Sequence, residues 1–182
     1  MATLGIINIG TIVSGDLTQG VLPGDSILVS DGRIAGVGDA HQTGARDADV
    51  VVDAHGTTVM PGLIDSHCHV VLGDYTPRQK TVDFLDSYVH GGITSVISPG
   101  EIHAPGRPRD AHGLKALAVA ARACFLNFRP TGMKVHAGAI ILEPTLQEDD
   151  FREVAERGVW LAKYGFGLFP DPADGEPQIR WA

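Results

Sequence analysis

Pro61-Gly62-Leu63-Ile64-Asp65-Ser66-His67-Cys68-His69 stands where one sequence pattern gives way to another. The apolar run from Leu63 to Leu72 reads as a β-strand. Side chains two apart in a strand face the same way, so His67 and His69 project together and Cys68 points to the opposite side. Two imidazoles on one face can hold a divalent metal ion, zinc being the usual partner. Asp65 shares that face one step deeper, where a carboxylate can orient a ligand. An isolated His-x-His is most often a surface or core feature, so the flanking sequence has to decide.

After Met60-Pro61-Gly62 the chain alternates apolar strands with polar helices. The pattern predicts strands near Leu63 to Leu72, Thr94 to Ser98, Met133 to Leu142 and Val159 to Gly167, with helices near Pro77 to Gly91, Asp110 to Phe128 and Leu146 to Arg157. Thr76-Pro77-Arg78-Gln79 and Thr145-Leu146-Gln147-Glu148 carry capping signals, and Gly91 and Gly158 sit where helices should stop. Such alternation implies parallel strands with crossover helices. Four strands and three helices amount to about half of an eight-stranded barrel. The segment from Phe169 to Ala182 is rich in Pro and Asp and would open the next unit, so the chain is expected to stop part-way through the architecture.

Before that junction, Leu4 to Ile9, Thr11 to Ser14, Ser26 to Ser30, Arg33 to Val37 and Val50 to Val52 read as short strands broken by turns. Asp31-Gly32 between two of them is a two-residue hairpin signal, since both turn positions need positive φ. The expected fold is α/β: a partial TIM (β/α)8 barrel of about four strands over residues 59–182, preceded by a small β-sandwich module over residues 1–58.

The β module, the Pro-Gly entry, the Asp two residues before the first His and the βα rhythm together resemble the amidohydrolase superfamily. Within it, Gly73-Asp74-Tyr75-Thr76-Pro77-Arg78-Gln79-Lys80-Thr81 and Pro105-Gly106-Arg107-Pro108-Arg109-Asp110 are similar to the loops of the enamidase branch, which opens cyclic amides. The resemblance extends through Lys134-Val135-His136-Ala137-Gly138-Ala139 and over Phe151 to Trp160. It implies hydrolysis of a C–N bond in a cyclic amide by a divalent metal, zinc with iron as candidate second ion, held by His67 and His69. Two-metal members bridge the ions with an acidic group at the end of strand four, a glutamate or a lysine carboxylated by carbon dioxide; the resemblance places Lys163 there, a departure from the glutamate it implies for the enamidase branch. A desolvated lysine loses its proton more readily, as that reaction requires; the alternative is a lysine reaching a carboxylate or solvent.

His136 either lines the pocket or is a satisfied core residue. Arg78, Arg107 and Arg109 lie in loops on the expected active face, where a guanidinium can hold a substrate carboxylate, or else they are solvated. His41, His55, His90, His103 and His112 read as surface histidines, although His103 follows the second strand and could face the site. The resemblance also implies two more histidine ligands from strands five and six and a proton-accepting aspartate from strand eight. None of those strands is present, so the catalytic residue is unknown and the chain alone is expected to be inactive. A homo-oligomer or a second chain would supply the rest. The alternative is a non-catalytic truncated homologue serving as scaffold or subunit.

Composition narrows the partners. Of 182 residues 43% are hydrophobic, enough to bury a core, and the net charge is -8. Nucleic-acid binders draw affinity from clustered Lys and Arg, so this charge argues against a phosphate backbone. No run approaches the roughly 18–20 apolar residues of a membrane span, and Met1 to Gly10 lacks the pattern of a signal peptide. With only Cys68 and Cys124, there is no disulfide framework. A cytoplasmic protein acting on a small molecule is expected.

Overall fold

The computed structural model describes residues 2–72 and 81–182. The chain divides into two compact units, Met1–Pro61 and Gly62–Ala182.

The first unit holds strands β1 (Thr3–Ile7), β2 (Thr11–Val13), β3 (Val21–Leu22), β4 (Ser26–Ser30), β5 (Arg33–Gly38), β6 (Val50–Asp53) and β7 (Thr58–Val59), with the short helix α1 (Ala40–Thr43). One sheet runs β5-β4-β1-β6 and the other β3-β2-β7. The Asp31-Gly32 turn adopts φ of 51° and 74° and pairs Ser30 with Arg33, as the hairpin requires. Strand alternation sends Ile7 to a cluster with Ala40 and Ala45, and Ile6 to the other face with Ile9, Ile12 and Ile27. Gly5 is dictated by close approach, because a Cβ there would lie 1.8 Å from the Ala45 carbonyl oxygen. The expected strand from Leu4 to Ile9 ends at Ile7, where Asn8 takes φ of 54° and donates its amide to Asp53 at 2.9 Å. The pairings at β3 and β7 are two residues each, too short to leave a periodic signal.

The second unit contains β8 (Leu63–Asp65), α2 (Thr81–His90), β9 (Ile93–Ile97), α3 (Ala111–Asn127), β10 (Lys134–His136), β11 (Ile140–Ile141), α4 (Glu148–Glu156), β12 (Ala162–Lys163) and α5 (Glu176–Trp181). Strands β8, β9 and β10 pair in parallel with β9 central, and β11 pairs in parallel with β12. The architecture is mixed α/β with small parallel sheets. Helix α3 starts at the Asp110 cap, whose side chain accepts from Gly113 N–H at 2.9 Å. Its Leu114, Ala118, Ala121 and Phe125 are buried at helical spacing. Leu114 and Ala118 join a cluster with Ile141, Leu146 and Val154, while Phe125 joins Cys68, Val70, Leu85, Val96 and Met133.

Strand lengths differ from expectation for local reasons. The stretch from Met133 to Leu142 is two strands, split at Gly138, whose φ is 90° and where a Cβ would meet the Ala118 carbonyl at 2.5 Å. The fourth strand shrinks to Ala162–Lys163, flanked by bonds from Ile140 N–H to Leu161 and from Leu142 N–H to Lys163 carbonyls. Helix α4 begins two residues later than Thr145 suggested: Gln147 is the cap and its N–H donates to the Asp150 carboxylate at 2.9 Å. The Thr145 hydroxyl instead donates to the Arg109 carbonyl. At its end, Gly158 (φ 79°) donates to Ala155 and Val159 N–H to Val154, closing a Schellman motif. For α2 the left-handed residue is Gly92 (φ 83°) rather than Gly91. The cap expected at Thr76-Pro77 and the loop residue Arg78 lie outside the described residues.

Candidate metal centre

Strand β8 stops at Asp65, short of the histidines, because the Asp65 carboxylate accepts His67 N–H at 2.9 Å and takes that amide out of the ladder. The backbone nevertheless stays beside β9, with Cys68 N–H donating to the Ile97 carbonyl at 3.0 Å. Cys68 is thereby buried in the core, and burial, reinforced by the charge of Asp65, pushes its thiol pKa up to about 11. His67 and His69 emerge on the opposite side with their Nε2 atoms 3.0 Å apart. The convergence expected of a strand is present although the strand itself has ended.

Two further groups join the pair. Lys163 Nζ, at the end of β12, lies 3.3 Å from His67 Nε2. His103 ends the turn Gly100–His103 that follows β9, and its ring centroid is 4.4 Å from that of His69. His69 sits below the ordinary imidazole pKa, mainly through burial and then through the nearby charges of His103, His67 and Lys163. A neutral ring is the form that binds metal. Burial, and then the neighbouring Asp65 carboxylate, raises the phenol pKa of Tyr88 on α2. Asp65 therefore acts on the His67 backbone and on Tyr88.

The donor set fits a metal in part. Nitrogens 3.0 Å apart can share one ion at zinc–nitrogen distances of about 2.0–2.1 Å. Among the described residues, however, no group of three or more His, Cys, Asp and Glu is arranged to hold a metal ion. Two imidazoles with the Lys163 amine beside them are an incomplete set.

The remaining candidates lie in other settings. His136 packs edge-on against Trp160 with centroids 5.6 Å apart, and burial, then the charges of Lys134, Arg122 and Arg129, hold its pKa low. Arg107 Nη2 is 2.9 Å from Glu143 Oε1, and both side chains are nearly buried. Arg109 is exposed and reaches the same oxygen at 3.9 Å. His41, His55, His90 and His112 are exposed.

Sequence reasoning missed Ser98 and Glu101, both fully buried. A carboxylate in Pro99-Gly100-Glu101 reads as solvated, and the only available signal was its place just after the second strand. Glu101 accepts from Ala139 N–H at 3.2 Å through one oxygen, while the other has no hydrogen-bond partner. Burial raises its pKa, against the lowering effect of the Ala139 and Gly138 amides. Between its ordinary value of 4.5 and the raised folded value, the folded state retains a proton that the unfolded chain has released. Stability should therefore fall as pH rises through that window. Denaturant titrations at successive pH values are expected to show this slope in the wild type and to lose it in Glu101→Gln.

No family model matches the chain. Enamidase from Eubacterium barkeri is 49% identical over 178 residues, covering 97% of this chain and 46% of that enzyme. The crystal structure of enamidase, described as a member of the amidohydrolase superfamily, superposes with a TM-score of 0.87 at 48% identity, over 99% of this chain and 47% of that one. L-hydantoinase (dihydropyrimidinase) from Arthrobacter aurescens matches at a TM-score of 0.58 and 22% identity over 93% of this chain and 35% of that one, a likeness of fold alone. The chain spans about half the length of enamidase. Identity of this level along nearly all of its residues makes the chain an enamidase-like homologue of the amidohydrolase superfamily, matching part of the length of a full enzyme.

Proposed function

We propose that this chain supplies the first metal-binding part of a hydrolase that cleaves the C–N bond of a cyclic amide. The observation that carries the reading is the meeting of His67 and His69 at 3.0 Å with Lys163 alongside at 3.3 Å. His67 and His69 would hold a divalent ion, zinc first and iron as candidate second ion, and Lys163, once carboxylated, would bridge. A bound ion of this kind lowers the pKa of water and polarises a carbonyl. Asp65 fixes His67 through its backbone, and burial lowers the His69 pKa, which favours the neutral ring that coordinates. Arg107 is already paired with Glu143 and shapes its loop rather than offering itself to a substrate carboxylate.

In this reading the second unit is the opening part of a (β/α)8 barrel and the first is part of a composite β-sandwich. The protein works in the cytoplasm as an oligomer or beside a second chain that completes the site. None of the helices among the described residues is long and apolar enough to cross a membrane. The incomplete ligand set favours a second reading, a non-catalytic subunit that keeps the fold.

Co-expression with a chain carrying the remaining half of enamidase's length tests the proposal. Cyclic-amide hydrolysis should appear in the mixed product, and His67→Ala/His69→Ala or Lys163→Ala should abolish it. Activity indifferent to all three residues would overturn the assignment.

A further inference from the structure

We infer that Ser98 is a positioning residue for the paired imidazoles, holding His69 in place through the backbone of Val70. The inference rests on the reading of His67 and His69 as a metal mount. Ser98 follows β9 and is fully buried. Its hydroxyl makes two bonds to one residue, accepting Val70 N–H at 2.7 Å and donating to the Val70 carbonyl at 2.8 Å. Two residues before Val70 and one before Ser98, the bond is between backbones, from Cys68 N–H to the Ile97 carbonyl at 3.0 Å. His69 is thus pinned on both sides, at Cys68 by Ile97 and at Val70 by Ser98. Ser98 is itself anchored, its N–H donating to the His136 carbonyl at 2.8 Å.

A side chain is needed here because the ladder has run out. With His67 N–H turned to Asp65, β8 no longer presents regular strand geometry. Val70 is buried at 2% exposure, so without Ser98 its N–H and carbonyl would lose the partner they have among the described residues. Gly100 completes the seat. A Cβ at that position would stand 2.1 Å from the Val70 carbonyl oxygen, so any larger residue pushes this carbonyl off the hydroxyl that donates to it. Neither Ser98 nor Gly100 touches the imidazoles; both fix the main chain that aims one of them.

Contacts that orient a metal ligand typically change metal affinity by about 10–100-fold when lost. Titration of the full chain with Co2+, followed by its visible absorption, should show Ser98→Ala and Gly100→Ala each weakening binding by about that factor. Leu146→Ala, which empties the other core cluster of this unit, should bind cobalt as the wild type does. Amide hydrogen exchange gives a readout independent of metal: Val70 should be among the slow amides of segment 66–72 in the wild type and should exchange faster in Ser98→Ala. Rapid exchange of Val70 in the wild type, wild-type cobalt affinity in both variants, or an equal loss in Leu146→Ala would overturn the inference while leaving the metal reading intact. Cobalt binding that is absent from the wild type, or unchanged in His67→Ala/His69→Ala, would overturn the metal reading and this inference with it.

Discussion

Replacement of Arg107 by alanine is expected to destabilise the Gly62–Ala182 unit by about 3–5 kcal/mol, the cost of leaving a buried charge without its partner. The guanidinium and the Glu143 carboxylate are 2.9 Å apart with side chains only 9% and 5% exposed. Water cannot replace the lost cation. Arg109, 3.9 Å from the same oxygen, offsets a fraction, so the loss should fall toward the lower end. Removing the stranded charge should recover most of it: Arg107→Ala/Glu143→Gln is expected to lie much nearer the wild type than Arg107→Ala alone. Urea unfolding of the three proteins decides the matter. Equal stability of Arg107→Ala and wild type would mean that the pair is solvated and that Arg107 is free to meet a substrate anion after all.

Leu85→Ala should cost about 2–5 kcal/mol, the range for a fully buried leucine whose cavity only partly collapses. Leu85 has no exposed surface and packs with Cys68, Val70, Val96 and Met133. These residues back the segment that presents His67 and His69, so the damage should be visible beside the site as well as in the melting curve. Cys68 reports on it. Its thiol is buried and its pKa is held at about 11, whereas Cys124 is exposed. A thiol reagent should modify Cys124 quickly and Cys68 slowly in the wild type, and both quickly in Leu85→Ala. An unchanged slow phase would show that this core tolerates the cavity.

The parts of the fold legible in the sequence were those with a local cause. Asp31-Gly32 announced its hairpin because both residues take left-handed φ, and the helix expected near Asp110 to Phe128 is α3, with Asp110 as its cap. The facing of His67 and His69 followed from two-residue alternation. Strand lengths were hidden because nonlocal contacts set them. Gly138 breaks a run of apolar residues where α3 presses on the chain, and Asp65 ends β8 by capturing the next amide but one. Ser98 and Glu101 were illegible as site residues, since a serine and a carboxylate among Pro and Gly give no sign that they will be enclosed. Arg107 read as a free loop cation because its partner, Glu143, is 36 positions away and meets it only in the folded chain.

Zinc uptake measured by equilibrium dialysis and plasma emission spectrometry tests the central claim, with His67→Ala/His69→Ala dialysed beside the wild type. The paired imidazoles predict zinc retained by the wild-type chain and lost from the double variant. Folded wild-type protein that takes up no more zinc than the variant would contradict the account.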